Sequence, residues 1–231
     1  MVQPATLSPV VRGRWTPMTW EEFLEWSPSE GQSEWVDGRG IAYVSNSTLH
    51  GRRVAFLADL LRLYVRVFDL GEVFSDNTLL RLPTRPSGRM PDIFVIGRDQ
   101  LDRVQHQWVD GPALLGVEYI SDESVERDLI EKRAEFERAG MREYLPIDAR
   151  PGRYTFHWLR LDEDGHYQEV APDDRERYHS ESLPGFWLDP EWFWQDPLPD
   201  VEDAMFAIAG HAYDEWLAAK RRAWLADQSG E

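Results

Sequence analysis

Apolar residues recur at Val54, Leu57, Ala58, Leu61, Val65 and Phe68, the three-and-four spacing of one helical face, so a long amphipathic helix is expected from Ser47 to about Phe68. A shorter helix is expected over "TWEEFLEW", opened by a capping box of Thr19 and Glu22. The pattern then changes to short, nearly continuous apolar runs. "MPDIFVIG" and "LLGVEYIS" read as strands with both faces covered, and "SEWVDGRGIAYVS" as a hairpin turning at Asp37-Gly38. "EYLPID", "RYTFHWLRL" and "HYQEV" read as further strands, whereas "TRPSGR" and "RDQLDRVQHQWVDGP" read as loops. Ser121 or Ser124 can cap a helix that runs to Ala139 and stops at Gly140. Beyond the Trp- and Pro-rich "LPGFWLDPEWFWQDPLP", residues 200–229 read as a separate acidic-to-basic helix. The expected fold is α/β. A mixed central sheet is flanked by helices at 48–68 and 124–139 in a domain over 14–195, with a C-terminal helical extension over 196–231.

Composition narrows the picture. The chain has 231 residues and no cysteine, which excludes disulfides and thiolate metal sites and fits a reducing compartment. No stretch approaches the length of a membrane span, so a cytoplasmic protein with no membrane partner is expected. The net charge of −17 argues against general affinity for nucleic acid, because phosphates are met by Lys and Arg; a local basic patch is compatible with it. Only Lys132 and Lys220 are lysines among the 25 basic residues. A lysine kept in mid-helix in so arginine-rich a chain suggests a specific need for an ammonium.

The candidate chemistry gathers in the middle of the chain. Glu118 interrupts an apolar strand, where an ionised carboxylate is costly unless it is paired or holds a metal. Asp92 opens the other covered strand, and two acids on neighbouring strands suit a hard cation such as Mg2+ or Mn2+. Asp128 and Lys132 share a helical face at i, i+4. Plainer readings stand beside these. Glu118 can pair with Arg89 or Arg127 as a structural ion pair, and Lys132 can be a solvated residue bridging to Asp128. Asp92, Glu34 and His50 can be ordinary polar residues of a strand edge, a hairpin and a first helical turn. Arg81, Arg85 and Arg89 either touch phosphates or sit in a solvated loop.

An acid, then Pro-Asp on one strand, then an acid with a lysine resembles the layout of the PD-(D/E)XK restriction-endonuclease-like superfamily. More closely, "EWVDG", a histidine, "PDIFVIG", "GVEYISDES", an Asp and a Lys on the next helix, "EYLPID" and "LPGFWLD", in that order over residues 18–190, resemble the Uma family. The resemblance implies a restriction-endonuclease-like sheet and metal-dependent hydrolysis of DNA. It implies Asp92 and Glu118 as metal ligands for Mg2+ or Mn2+, Lys132 as the catalytic lysine, Glu34 as a further acid, and His50 at the start of the long helix. The plain motif places its lysine two residues after the acid, where this chain has Ile120; Lys132 on the following helix takes that place.

Three classes stay open at this point: a nuclease, a catalytically silent binding module on the same fold, and a structural or oligomerising protein. A homodimer is expected, since cutting both strands of a duplex calls for two sites. Lys132→Met is expected to leave folding nearly intact while abolishing turnover.

Overall fold

The computed structural model describes residues 13–43, 48–75, 77–122 and 124–229. Ser47, the expected start of the long helix, lies outside them. A short β1 (Thr16–Pro17) precedes α1 (Trp20–Glu30), whose first turn carries the expected capping box: Glu22 N–H donates to Thr19 Oγ1 at 3.2 Å and Thr19 N–H to Glu22 Oε2 at 2.7 Å. β2 (Ser33–Val36) and β3 (Arg39–Ala42) form the hairpin. Its corner residues Asp37 and Gly38 both take positive φ, as a two-residue turn matched to strand twist requires. α2 (Thr48–Phe68) buries the stripe from Val54 to Val65. Four strands follow, β4 (Gly71–Ser75), β5 (Leu79–Leu82), β6 (Ser87–Arg89) and β7 (Ile93–Gly97).

A 3-10 turn (Arg98–Arg103) and β8 (Trp108–Asp110) come before β9 (Leu115–Tyr119). The next helix is π-helical over Arg127–Lys132 and continues as α3 (Arg133–Ala139), ending at left-handed Gly140. β10 (Glu143–Asp148), β11 (Thr155–Phe156), β12 (Leu159–Leu161) and β13 (Tyr167–Glu169) carry the chain back across the sheet. β14 (Tyr178–His179), β15 (Trp187–Leu188), α4 (Glu191–Trp194) and α5 (Val201–Ser229) complete it.

The central sheet is mixed, as expected. Its order is β13-β12-β10-β9-β7-β4, parallel between β10 and β9 and antiparallel elsewhere. Alternation along β7 explains why both faces are covered. Ile93 and Val95 join the core under α2, while Phe94 and Ile96 join a second core with Phe136 and Ala139 of α3. β9 follows the same rule, so Leu115, Val117 and Tyr119 face α2, and Glu118 is left facing the π-helical stretch. The Trp- and Pro-rich segment packs on the α2 side. There Phe193 is fully buried and stacks on Phe156, and Arg53 donates to the carbonyls of Ala149 and Phe193. The first part of α5 belongs to the same core through Ala204, Met205 and Tyr213.

Two stretches expected to be loops contribute strands. Ser87–Arg89, the end of "TRPSGR", pairs with both β2 and β5, and Trp108–Asp110 pairs with β5. With the hairpin they build a second, six-stranded sheet in the order β1-β3-β2-β6-β5-β8. Their partners are distant in sequence, so pairing overrides a local Pro/Gly composition that reads as a loop.

Gly71 starts β4 at φ 149°, and a Cβ there would lie 2.0 Å from the Ile96 carbonyl oxygen of β7. Backbone atoms cannot move aside as a side chain could. Gly71→Ala is therefore expected to lower the unfolding free energy by about 2–3 kcal/mol in urea titration.

Candidate active site

Glu118 and Lys132 meet inside the protein. Lys132, in the last turn of the π-helical stretch, is fully buried, and its Nζ donates to Glu118 Oε1 at 2.7 Å. The same ammonium lies 2.9 Å from Glu34 Oε1 and 3.5 Å from Asp128 Oδ1. Three carboxylates from a hairpin strand, a central strand and a helix thus converge on one cation. π-Helical turns often mark functional sites, and this one turns both Asp128 and Lys132 inward. The solvated-residue reading of Lys132 is excluded by its burial. Glu118 pairs with Lys132, and neither Arg89 nor Arg127 is its direct partner.

Glu34 is held from a second side. Arg89 Nη1 donates to its Oε2 at 2.8 Å, and the Tyr43 hydroxyl donates to the same oxygen at 3.0 Å. Arg89 is itself wholly buried, which corrects the expectation of a solvated or phosphate-facing arginine. Its remaining donors go to Glu135 Oε2 at 2.7 and 3.1 Å, and Ser87 donates to the other oxygen of Glu135. Arg127 lies 4.1 Å over the Tyr43 ring and 3.2 Å from Asp128 Oδ1. Glu135 and Tyr43 were missed in the sequence. Glu135 carries a signal in retrospect, standing three residues after Lys132 and seven after Asp128 on one helical face.

Asp92 stands at the open end of β7. Continuing the register in which Ile93 faces Val117 sets Asp92 opposite Glu118. Its Oδ2 accepts the Tyr119 N–H at 2.7 Å and its Oδ1 lies 3.3 Å from His50 Nε2, so α2 reaches the site through His50. Glu34, Glu118 and Lys132 thus form one group in direct contact, and the His50–Asp92 pair lies beside it across the β7–β9 register. Among the described residues, no three His, Asp or Glu side chains form a ready coordination group.

The electrostatics divide the acids. Burial pushes Glu34 up, but the Lys132 ammonium, then Arg89 and Arg127, outweigh it and hold the carboxyl well below the usual range. For Glu118, burial dominates; the pull of Lys132 opposes it, while Asp128 and Asp92 add to it, and the group is raised well above the usual range. Burial works against the charge on Lys132 too, yet Glu118, Glu34 and Asp128 together hold its proton more firmly than in water. Lys132 thus stays an ammonium, and Glu118 is the acid left short of positive charge. Glu143, another buried acid, differs in kind: it accepts from Trp158, the Ser180 hydroxyl and the Glu181 N–H, and so pins a loop.

With this geometry in hand, the comparisons are informative. A family model described as Uma2, "Putative restriction endonuclease", matches residues 20–191. The chain belongs to the Uma2 family. A crystal structure of "a putative nuclease belonging to DUF820" from Anabaena variabilis ATCC 29413 is similar to it in fold, with a TM-score of 0.61 and 15% identity, over 77% of this chain and 98% of that one. The search of curated proteins gives no match. The Uma2 match spans all five candidate residues and ends before α5. No helix among the described residues is long and apolar enough to cross a membrane.

The burial of Lys132 changes what its replacement should do. Lys132→Met strands three carboxylates without their shared cation, so folding is not expected to survive untouched. Breaking a buried ion pair from one side typically costs about 3–5 kcal/mol. Urea unfolding should show a loss of that order, and adding Glu118→Gln to Lys132→Met should recover part of it, because Glu34 keeps Arg89 whereas Glu118 is paired through Lys132.

Proposed function

We propose that the chain is a divalent-metal-dependent endonuclease that hydrolyses phosphodiester bonds of DNA. The observation that carries this reading is the buried Glu118, set opposite Asp92 on the central sheet and paired with a Lys132 ammonium that it shares with Glu34 and Asp128. The donor set fits a hard cation. Two carboxylates offer oxygen ligands, and positive charge beside them would offset the burial, and after it the repulsion from Asp128 and Asp92, that raise Glu118. Asp92 and Glu118 would hold the ion, Mg2+ or Mn2+. When bound, such an ion activates water and stabilises charge on the phosphoryl group.

The protein's own groups do the positioning. Lys132 fixes Oε1 of Glu118 on the strand beside Asp92. Glu34, doubly held by Lys132 and Arg89, keeps the ammonium from swinging away. His50 and the Tyr119 N–H hold the two oxygens of Asp92. Held geometry of this kind removes reorganisation from the reaction itself. For the substrate, Arg81 and Arg85 line an open cavity of about 530 Å³ with Thr84 and Asp110. Arg85 also lies 3.5 Å from Glu135, which links this basic rim to the buried network. Arg85 is already forked onto Asp37, so Arg81 is the arginine this rim would offer a phosphate backbone.

The test pairs binding with turnover. Mn2+ should raise the melting temperature of the parent saturably, and both Asp92→Asn and Glu118→Gln should remove that shift. Plasmid cleavage in Mg2+ or Mn2+ should fall by about 10²-fold or more in each variant. A parent that binds no divalent ion and cuts no DNA would instead support a silent binding module on the nuclease fold.

A further inference from the structure

The acids gathered at the site would repel a phosphate. Glu34, Glu118, Asp128 and Glu135 are buried against Lys132, Arg89 and Arg127, and Asp92 adds a further buried acid beside them. Five acids against three permanent cations leave an excess of negative charge that one divalent ion only cancels. Lys132 and Arg89 are committed to those acids inside the protein, each with a side chain 1% exposed. The Arg127 side chain is 19% exposed. An anionic backbone approaching the network therefore meets positive charge where Arg127 reaches the surface.

Arg127 opens the π-helical stretch that Lys132 closes, so one irregular turn delivers a cation to the interior and another to the surface. The guanidinium is held in place. Its Nε donates to Asp128 Oδ1 at 3.2 Å, and its carbon lies 4.1 Å from the centroid of the Tyr43 ring. That ring is itself fixed, because the Tyr43 hydroxyl donates to Glu34 Oε2 at 3.0 Å. The terminal nitrogens Nη1 and Nη2 donate to no protein atom among the described residues, where Gln100 Oε1 is the buried side-chain polar atom without a partner; both nitrogens therefore reach solvent. A guanidinium tethered through Nε with both Nη groups outward is a fork that matches two oxygens of one phosphate. Burial works against its charge, yet Asp128, then Glu34, hold its proton more firmly than in water. Its field also acts on Glu34 and Lys132, which places it in the same electrostatic unit as Glu118.

We propose that Arg127 is the phosphate-binding residue of the site, its Nη1 and Nη2 taking two non-bridging oxygens of one backbone phosphate while Tyr43 and Asp128 hold the guanidinium still. The assignment rests on the nuclease reading above and adds to it the group that brings the DNA backbone to the acids. Arg127 offsets phosphate charge from outside the network, whereas Lys132 serves the acids from within.

The test reads DNA binding apart from cleavage, by fluorescence anisotropy of a short labelled duplex with Ca2+ in place of Mg2+, over a series of salt concentrations. Arg127→Gln should weaken binding by about tenfold or more and flatten the slope of log affinity against log salt by about 0.9, the loss of one phosphate contact. Plasmid cleavage in Mg2+ should fall by about 10²-fold, while the Mn2+-induced rise in melting temperature stays that of the parent. Arg127→Lys should keep the salt slope and recover only part of the affinity, since an ammonium carries the charge without the fork. That variant carries the test if near-ultraviolet dichroism shows Arg127→Gln to be misfolded, and Arg127→Lys binding as tightly as the parent then overturns the fork. A parent that binds the duplex, with Arg127→Gln equal to it in affinity and salt slope, overturns the proposal whether or not DNA is cut. A parent that cuts nothing and gains no stability from Mn2+, yet loses duplex binding with Arg127→Gln, keeps the phosphate contact and overturns the nuclease reading alone. A parent that neither binds nor cuts the duplex overturns both.

Discussion

The ammonium of Lys132 lies within 3.5 Å of carboxylates from three separate parts of the fold, and the arrangement of those parts depends on it. Glu34 belongs to the six-stranded sheet, Glu118 to the central sheet, and Asp128 to the helix that carries Lys132. Arg89 continues the chain of contacts by joining Glu34 to Glu135 of α3. Removing charges from water is expensive, and apolar residues of equal volume usually stabilise such a position at least as well. A network of this size is therefore poor value as a source of stability. Its worth lies in fixing which faces of the two sheets approach the helix, and in keeping Glu118 ionisable within an apolar surround.

Much of the fold is legible because its elements obey their periods. The stripe from Val54 to Val65, the capping box at Thr19 and the Asp37-Gly38 turn are local signals, and each forms as its chemistry directs. β6 and β8 were hidden because nothing within their own few residues favours a strand; they exist through pairing with β2 and β5. The π-helical turn is invisible for the same reason, since its residues are ordinary helix formers and the widened geometry arises where Asp128 and Lys132 are both drawn inward.

The site was legible in part. Glu118 stood out because a carboxylate in a covered strand is anomalous, and Lys132 because lysine is rare in this chain. Both are where those anomalies implied, one bonded to the other. Arg89 was misread because a sequence window rich in Pro, Gly and Arg suggests solvent, whereas its guanidinium is wholly enclosed between Glu34 and Glu135. A buried arginine needs acids supplied from elsewhere in the fold, and no local pattern announces them.

The distribution of positive charge, more than its amount, gives the cluster its direction. Lys132 and Arg89 both serve Glu34, which is held well below the usual carboxylate range. Glu118 has only a share of Lys132 and is pushed up by burial, then further by Asp128 and Asp92. One acid is thus saturated and the other starved, although they bind the same ammonium. A further cation gains most beside the starved one, on the side where Asp92 faces it across the β7–β9 register. That asymmetry separates a firmly anchored acid, Glu34, from one still short of positive charge, Glu118, and it follows from which side of Lys132 the buried Arg89 occupies.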